Sequence, residues 1–498
     1  MKKKSVLILI FLLIIAMSCT KKDVKENLST TNIEIPSSSQ KNKPNIILFV
    51  VDDLGTNDAG CYGNTLIKTP GIDALATQGT RFTNAFCTTP SCSASRSVIL
   101  TGKQNHANGQ YGHSHFEFHF SAFKNIKSLP VILDSVGYRT MRVGKFHIAP
   151  ASVFHFNDYH PKKADYPDEV WKPFSESPKY PFANTRPPEV LAEDMRNFIA
   201  QKESPFFLYF NTFEPHAPYN REGSDIINSK DVIVPEHLPD VPSVREELAK
   251  YYMSAQRADK ALLKLTQILK ETEQWENTII LFTSDNGRPF PGAKINLYDP
   301  GIKLPFVFRN PHQNKQNIVS DAMVSFTDIT PTLLDFAGVD ISKYNFHGHS
   351  FKSQLNKEKS IGFDTVYASH TFHEIQMYYP MRMIRDRQYK FIWNLESQKP
   401  FHLGVGTDAF INLIKNNNLT HIGKRKVKDY LQRPKFELYD LKNDPHEINN
   451  LADDSAYDKL VKTYKSKLNT FQNTTGDPWK IYQDYEKLEK LVLNNKYE

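Results

Sequence analysis

Cysteine is scarce: four occur in 498 residues. Cys19 closes an N-terminal leader-like stretch, so the main body keeps Cys61, Cys87 and Cys92. An odd number of thiols in an exported chain argues against a disulfide framework and leaves a thiol to be explained by chemistry. Cys61 reads as structural, and Cys87 has no assigned role. Long apolar runs are scarce too, and the stretch 6–16 is shorter than a membrane span needs. No interleaving of aromatic and basic residues points to nucleic acid, no internal repeat is visible, and no Cys/His pattern suits zinc. A hydrophobic share of 40% with 23% charged residues excludes a disordered chain.

What is present begins at the N-terminus. Lys2, Lys3 and Lys4 precede the apolar run 6–16, which ends in Met17-Ser18-Cys19. A charged region, a short apolar region and small residues in that order are a secretory signal. Cys19 after Ala16-Met17-Ser18 resembles the bacterial lipoprotein box, whose cysteine is lipidated and becomes the new N-terminus. Residues 1–19 are therefore expected to be a lipoprotein-type signal peptide and 20–43 a polar tether, with Ser37-Ser38-Ser39-Gln40 and several lysines. The expected location is the periplasm or cell surface of a bacterium, with a lipid anchor in the membrane. Loss of the three lysines lowers the net charge of +7 to +4, a mild bias that suits an anionic substrate.

Apolar runs of strand length then alternate with helical patterns. Residues 45–51 form a continuous run of the kind buried on both faces of a parallel sheet, and it ends in Asp52-Asp53. A helix is expected to start over 73–79, a strand over 80–86 and a helix over 128–135. A strand at 138–143 leads into Gly144-Lys145-Phe146-His147. A helix over 190–199 precedes the apolar run 205–210, which runs out toward Glu214-Pro215-His216. Leu248, Tyr252, Ala255, Leu262, Leu265 and Leu269 make one helical stripe. The strand 278–282 delivers Asp285-Asn286-Gly287. This alternation predicts an α/β catalytic domain over 44–364, a large mostly parallel sheet flanked by helices. From about residue 365 the pattern becomes short strands (366–369, 381–384, 389–395, 436–440) and a last helix over 456–471. Residues 365–498 thus read as a smaller antiparallel sub-domain.

Four strands end in residues of catalytic type: Asp52-Asp53, Lys145 with His147, His216, and Asp285-Asn286. In open α/β sheets ligands sit outside the carboxyl ends of the strands, where such residues converge. Three Asp and one Asn form an oxygen-only donor set that favours calcium or magnesium over a softer metal. The remaining reactive stretch is Cys92-Ser93-Ala94-Ser95-Arg96-Ser97-Val98-Ile99-Leu100-Thr101-Gly102. It places a thiol and an arginine at the mouth of a helix, an N-terminus that suits an anion.

That stretch resembles the signature of type I sulfatases, Cys-x-(Pro/Ala)-Ser-Arg followed by Leu-Thr-Gly. The resemblance implies an alkaline-phosphatase-like sulfatase fold and oxidation of Cys92 by a formylglycine-generating enzyme to formylglycine (3-oxoalanine). It also implies one divalent cation, calcium, held by Asp52, Asp53, Asp285 and Asn286 and touching residue 92. By the family's mechanism one hydroxyl of the hydrated aldehyde attacks sulfur while His216 protonates the leaving group. The second hydroxyl then loses its proton to His147 and expels sulfate. The two histidines could exchange these roles. Arg96, Lys145 and a further cation would neutralise the sulfate oxygens. Lys294, in Lys294-Ile295-Asn296-Leu297-Tyr298-Asp299-Pro300-Gly301, is the first candidate for it and Lys303 the second.

Later stretches are similar to the sulfamidase branch, the N-sulfoglucosamine sulfohydrolases. They are Asp285 to Pro291 (Asp-Asn-Gly-Arg-Pro-Phe-Pro), Ser369-His370-Thr371-Phe372-His373-Glu374-Ile375, Tyr379-Pro380-Met381-Arg382, and Phe436-Glu437-Leu438-Tyr439-Asp440. The resemblance puts His373 and Glu374 near the sugar. The expected reaction is hydrolysis of sulfate groups on saccharides from sulfated polysaccharides, heparan-type N-sulfate first. O-sulfate removal from algal polysaccharide such as ulvan is the alternative, because the sulfuryl chemistry is shared. Two other classes stay open: a phosphomonoesterase or phosphodiesterase of the alkaline phosphatase superfamily, and an unmatured glycan-binding lipoprotein. Substrate loops are expected around 105–120, 150–185 and 395–430. His113, His115 and His119 in the first of these read as surface histidines.

Overall fold

The computed structural model describes residues 43–115, 119–160, 188–219, 221, 223–402, 412, 413, 415, 416 and 419–482. The leader, the tether and Cys19 lie outside these residues, as do large parts of the two later substrate loops.

Among the described residues nine strands form one sheet: β1 (Asn45–Val51), β2 (Thr80–Phe86), β3 (Arg139–Gly144), β4 (Asp158–His160), β5 (Phe206–Asn211), β6 (Thr278–Ser284), β7 (Lys303–Leu304), β8 (Phe306–Arg309) and β9 (Ile318–Ser325). Their order is β4-β3-β5-β1-β6-β8-β2-β7, with β9 pairing β2. The block β4-β3-β5-β1-β6 is parallel throughout. β8 runs antiparallel to β6 and β2, and β7 antiparallel to β2, so one flank is mixed.

Every residue of β1, β5 and β6 is buried, as expected of strands covered on both faces. Alternate side chains supply two cores. Ile46, Leu48 and Val50 of β1 pack with Val98, Ile99 and Leu100 of the helix Cys92–Thr101. Ile47, Phe49 and Val51 pack with Leu248, Tyr252, Ala255, Leu262, Leu265 and Leu269 of the helix Pro242–Glu271. Each such buried apolar side chain contributes about 1.5–3 kcal/mol relative to exposure. The sheet is thereby held rigidly between the two helical layers.

Two helices differ from expectation. The first begins at Pro70, ahead of residue 73. Asp259 of the long helix accepts the Gly71 N–H (3.0 Å) and the Ile72 N–H (2.7 Å), a cap supplied from 187 and 188 residues away. The stretch 190–199 breaks into Pro188–Glu193 and Arg196–Ala200. Its two pieces still bury Leu191, Ala192, Met195, Phe198 and Ile199 in one core.

A second sheet follows, with β10 (Thr365–His370), β11 (Met381–Asp386) and β12 (Tyr389–Asn394) antiparallel in sequence. A small hairpin comes next, β13 (His421–Ile422) with β14 (Arg425–Lys426), and then β15 (Phe436–Asp440), which pairs antiparallel with β12. One face of this sheet joins the first core through Val366, Ala368, Met381, Met383 and Ile392. The other packs Ile384, Phe391, Trp393 and Leu438 on Tyr464, Leu468 and Phe471 of the helix Asp458–Thr474. This packing brings the chain after β10, with His373, against the mouth of the large sheet.

Candidate active site

Because β1, β3, β5 and β6 are parallel neighbours, their carboxyl ends open on one edge. Asp52 and Asp53 follow β1, Lys145 and His147 follow β3, His216 follows β5, and Asp285 and Asn286 follow β6. Cys92 meets them from the first turn of its helix. Asp52, Asp53, Cys92 and Asp285 each place one ligand atom within 4.8 Å of the others, and all four are buried.

Each carboxylate has a cationic or amide partner. The Cys92 thiol donates to Asp52 Oδ1 at 3.5 Å, and Lys145 Nζ donates to Asp52 Oδ2. Arg96 Nε donates to Asp285 Oδ2 at 2.9 Å and its Nη1 to Asn211 Oδ1 at 2.6 Å, while Nη2 makes no hydrogen bond. Lys294 Nζ donates to both Asp53 oxygens, at 2.7 and 2.9 Å. Asn286 Nδ2 donates to Asp53 Oδ1 at 2.6 Å, so Asn286 Oδ1 is left buried without a hydrogen bond. An orphaned buried carbonyl oxygen beside three carboxylates fits a hard cation. Asp53, His147 and Ile295 all have positive φ (67°, 56° and 64°), a region that non-glycine residues occupy only when the surroundings impose it.

His216 donates from Nδ1 to Ala217 O at 2.5 Å, which fixes its tautomer and leaves Nε2 facing Asp53 Oδ2 at 3.8 Å. His147 Nε2 meets His115 Nδ1. Burial, and then the nearby Lys145, hold His147 well below the usual imidazole range. Burial likewise lowers His216 and pushes the Cys92 thiol up. Burial also opposes ionisation of Asp52, but Lys145 and then His216 outweigh it and hold that carboxyl below its ordinary value.

The structure places Lys294 on Asp53, whereas Lys303 begins β7, where burial depresses its ammonium and Asp299 partly restores it. His373 is buried beside the cysteine helix: its Nδ1 lies 2.9 Å from Ser91 Oγ and its Nε2 3.0 Å from His113 Nε2. Glu374 is half-buried and accepts from Gln376 Nε2 at 2.5 Å.

The surface reading of the first-loop histidines is corrected for two of the three. His113 is buried and His115 half-buried, both with rings tilted 32° against that of His147, while His119 is exposed. Polar residues in a loop look solvated, but here the chain after β10 covers them: His113 N donates to His373 O at 2.9 Å. Residues missed from sequence include Asn211, Ser91 and Ser93, which partner Arg96, His373 and His113. Asn211 ends a strand just as the recognised residues do, a signal that was available.

Comparison with known proteins agrees with this geometry. Residues 44–339 match the Sulfatase family, and residues 293–425 match the family described as N-sulphoglucosamine sulphohydrolase, C-terminal. Human N-sulphoglucosamine sulphohydrolase is 32% identical, over 90% of this chain and 93% of its own length. An ulvan-active sulfatase of Formosa agariphila is 30% identical, over 96% of this chain and 89% of its own. A protein solved with its substrate D-glucosamine-2-N,6-O-disulfate has TM-score 0.65 at 19% identity, covering 88% of this chain and 99% of that one, a likeness of fold.

Proposed function

The chain belongs to the sulfatase family, and from that premise we propose that it hydrolyses sulfate groups on saccharides derived from sulfated polysaccharides, N-sulfated glucosamine units first. It is a sulfuric ester or sulfamate hydrolase with the alkaline-phosphatase-like fold. The family match and the relative of 32% identity favour sulfate over phosphomonoester substrates. The observation that carries the finer reading is the match of residues 293–425 to the sulphohydrolase C-terminal family. That segment contains Lys294, which lies on Asp53, and His373-Glu374, the residues expected near the sugar.

Sulfatases generally use a metal ion and formylglycine. The buried thiol of Cys92 is held protonated and is a poor nucleophile as it stands. Formylglycine made from it by a maturation enzyme would supply a hydrated aldehyde as the nucleophile toward sulfur. A calcium ion would be held by Asp52, Asp53, Asp285 and Asn286 and would supply positive charge for the sulfate oxygens. Arg96 fixes Asp285 from below, and Lys145 and Lys294 add charge at Asp52 and Asp53. His216, its Nδ1–H held by Ala217 O, would carry the leaving group's proton on Nε2 in the imidazolium form, which the neighbouring Asp53 favours against burial. His147, kept neutral by burial, suits acceptance of one.

The leader supports export and a lipid anchor at Cys19, in the periplasm or at the cell surface of a bacterium. Among the described residues no helix is long and apolar enough to cross a membrane. Removal of O-sulfate from ulvan oligosaccharides is the second reading, favoured by the relative of 30% identity.

The test is sulfate release from N-sulfated glucosamine, 6-O-sulfated N-acetylglucosamine, heparan disaccharides and ulvan oligosaccharides. Conversion of Cys92 is checked by peptide mass, and the Cys92→Ala chain is the blank. Release from N-sulfated glucosamine, lost on chelation and restored by calcium rather than zinc, is expected. Release from ulvan fragments alone selects the second reading. Restoration by zinc in place of calcium would contradict the oxygen-ligand assignment.

A further inference from the structure

A second group of metal-ligating side chains lies in the same mouth, apart from the acidic cluster. The rings of His113, His115 and His147 form a near-equilateral triangle. Their centroids are 4.8 Å apart for His113 and His115, 4.7 Å for His113 and His147, and 4.6 Å for His115 and His147. One ring nitrogen from each lies within 4.8 Å of the other two. His115 Nδ1 and His147 Nε2 already face each other directly. A tetrahedral zinc ion with Zn–N bonds of about 2.0–2.1 Å separates its nitrogens by roughly 3.3 Å. The triangle reaches that spacing through small rotations of side chains.

The supports around the triangle are those of an ordered ligand set. His113 is pinned through its backbone N–H to His373 O (2.9 Å), and its Nδ1 lies 3.3 Å from Ser93 Oγ. His147 sits at φ 56°, a backbone conformation that aims its ring independently of local preference. Its Nδ1 is buried and makes no hydrogen bond. A fourth imidazole, His373, adjoins the triangle at 3.0 Å from His113 Nε2, with its own Nδ1 on Ser91 Oγ at 2.9 Å. A hydrogen-bonded second nitrogen, which His113 has and His147 lacks, holds a metal-bound imidazole in one tautomer and one orientation. The donors are all imidazole nitrogens, which suit zinc and its neighbours, whereas calcium takes oxygen. Asp52, Cys92 and His216 form a further, mixed group, so the variants rather than ligand chemistry alone assign zinc to the imidazole triangle.

We propose that His113, His115 and His147 form a second metal site, selective for zinc-like divalent ions, and that its occupation inhibits sulfate release by engaging His147. The site is independent of the reading of the substrate. Its inhibitory effect rests on the proton-accepting role given to His147 above.

The experiment uses the full chain with calcium present. Zinc is titrated calorimetrically, and cobalt(II) is added in parallel to read the ligand field by absorption. One zinc per chain and the intense visible bands of a tetrahedral, nitrogen-rich cobalt site are expected. His115→Gln and His113→Gln should each weaken zinc binding on the order of tenfold or more, with calcium binding retained. Sulfate release should fall along the same zinc curve. Zinc that persists in His115→Gln and disappears in Asp53→Asn overturns the proposal, because the ion then sits in the acidic cluster. A weak, octahedral cobalt spectrum in the unaltered chain overturns it too, and needs no variant to fold. Stoichiometric zinc without any loss of sulfate release overturns the inhibitory half.

Discussion

Lys294 Nζ lies 2.7 and 2.9 Å from the two oxygens of Asp53, with Asn286 Nδ2 on one of them. Both lone-pair faces of that carboxylate are thus engaged by donors that a bound cation has to displace or share. Lys294→Met removes a buried positive charge from a site whose ligands are anionic. Calcium should therefore bind roughly tenfold more tightly to the variant, a gain of about 1.4 kcal/mol, while kcat falls because the sulfate oxygens lose a partner. Calorimetry of calcium binding beside steady-state rates checks this; weaker calcium binding would show that Lys294 organises the site rather than competing in it. At this scale the sequence was readable wherever chemistry coincided with a strand end, as at Asp52, Asp53 and Asp285. It was unreadable where a residue's environment comes from distant chain. His113 looked like a loop histidine, yet it is covered by His373, 260 residues away.

Between elements, the loops after β1 and β6 are joined beneath the site by a buried network. Arg288 Nε donates to Asp58 Oδ2 at 2.7 Å, and its Nη2 donates to Asp58 Oδ1. Tyr251 of the long helix adds its hydroxyl to the same carboxylate at 2.7 Å and lies 3.0 Å from Asp53 O. The pair ties together the loops that carry Asp53 and Asp285 onward from β1 and β6, whose ends are already joined by strand pairing and by Asp53 N donating to Asp285 Oδ1 at 3.1 Å. Arg288→Ala leaves Asp58 charged and buried without its cation, which costs about 3–5 kcal/mol. Adding Asp58→Ala removes the stranded charge, so the double variant should be more stable than Arg288→Ala alone. Denaturant unfolding of the two single variants and the double variant measures the coupling. Simple additivity would mean that the ion pair does not hold the loops together. The parallel strands and the long helix were legible from apolar periodicity, since burial on both faces leaves a plain signature. The Asp58–Arg288 pair was not, because its partners are 230 residues apart and either could be an ordinary surface charge. The same holds for the helix start at Pro70, where the capping carboxylate is Asp259.

Among the described residues, the large sheet's layer and the C-terminal layer meet at a buried histidine, His106, and a second, His370, is buried nearby at the end of β10. His106 lies 3.3 Å through Nδ1 from Ser369 Oγ on β10 and 2.8 Å through Nε2 from Thr475 Oγ1 beyond the last helix, with its ring against Phe471. His370 ends β10, with Nδ1 buried and without a hydrogen bond. Both residues are 1% exposed, and burial pushes each imidazole down to about 3. An unfolded histidine titrates near 6.5. Below that pH the unfolded chain therefore binds protons that the folded chain refuses. Because the unfolded state binds more protons, stability rises with pH across this interval; it is lost as pH falls from 6.5 toward about 3 and is fully present above 6.5. Each histidine contributes a slope of about 1.4 kcal/mol per pH unit inside that window. Asp477, held down by Arg382 against burial, begins to lose its contribution only as pH falls toward the unfolded aspartate value of about 3.9, so it leaves the upper half of the window unaffected. His106→Gln keeps a side chain able to bond Ser369 or Thr475 but cannot titrate. Its unfolding free energy should be close to the parent's, or slightly lower, at pH 7.5, and should fall less steeply between pH 6.5 and 4.5, by about 1.4 kcal/mol for each unit. Denaturant midpoints at four pH values decide the matter: parallel curves for the two chains would mean that His106 takes up its proton in the folded state, and that the closure between the two layers is insensitive to acid.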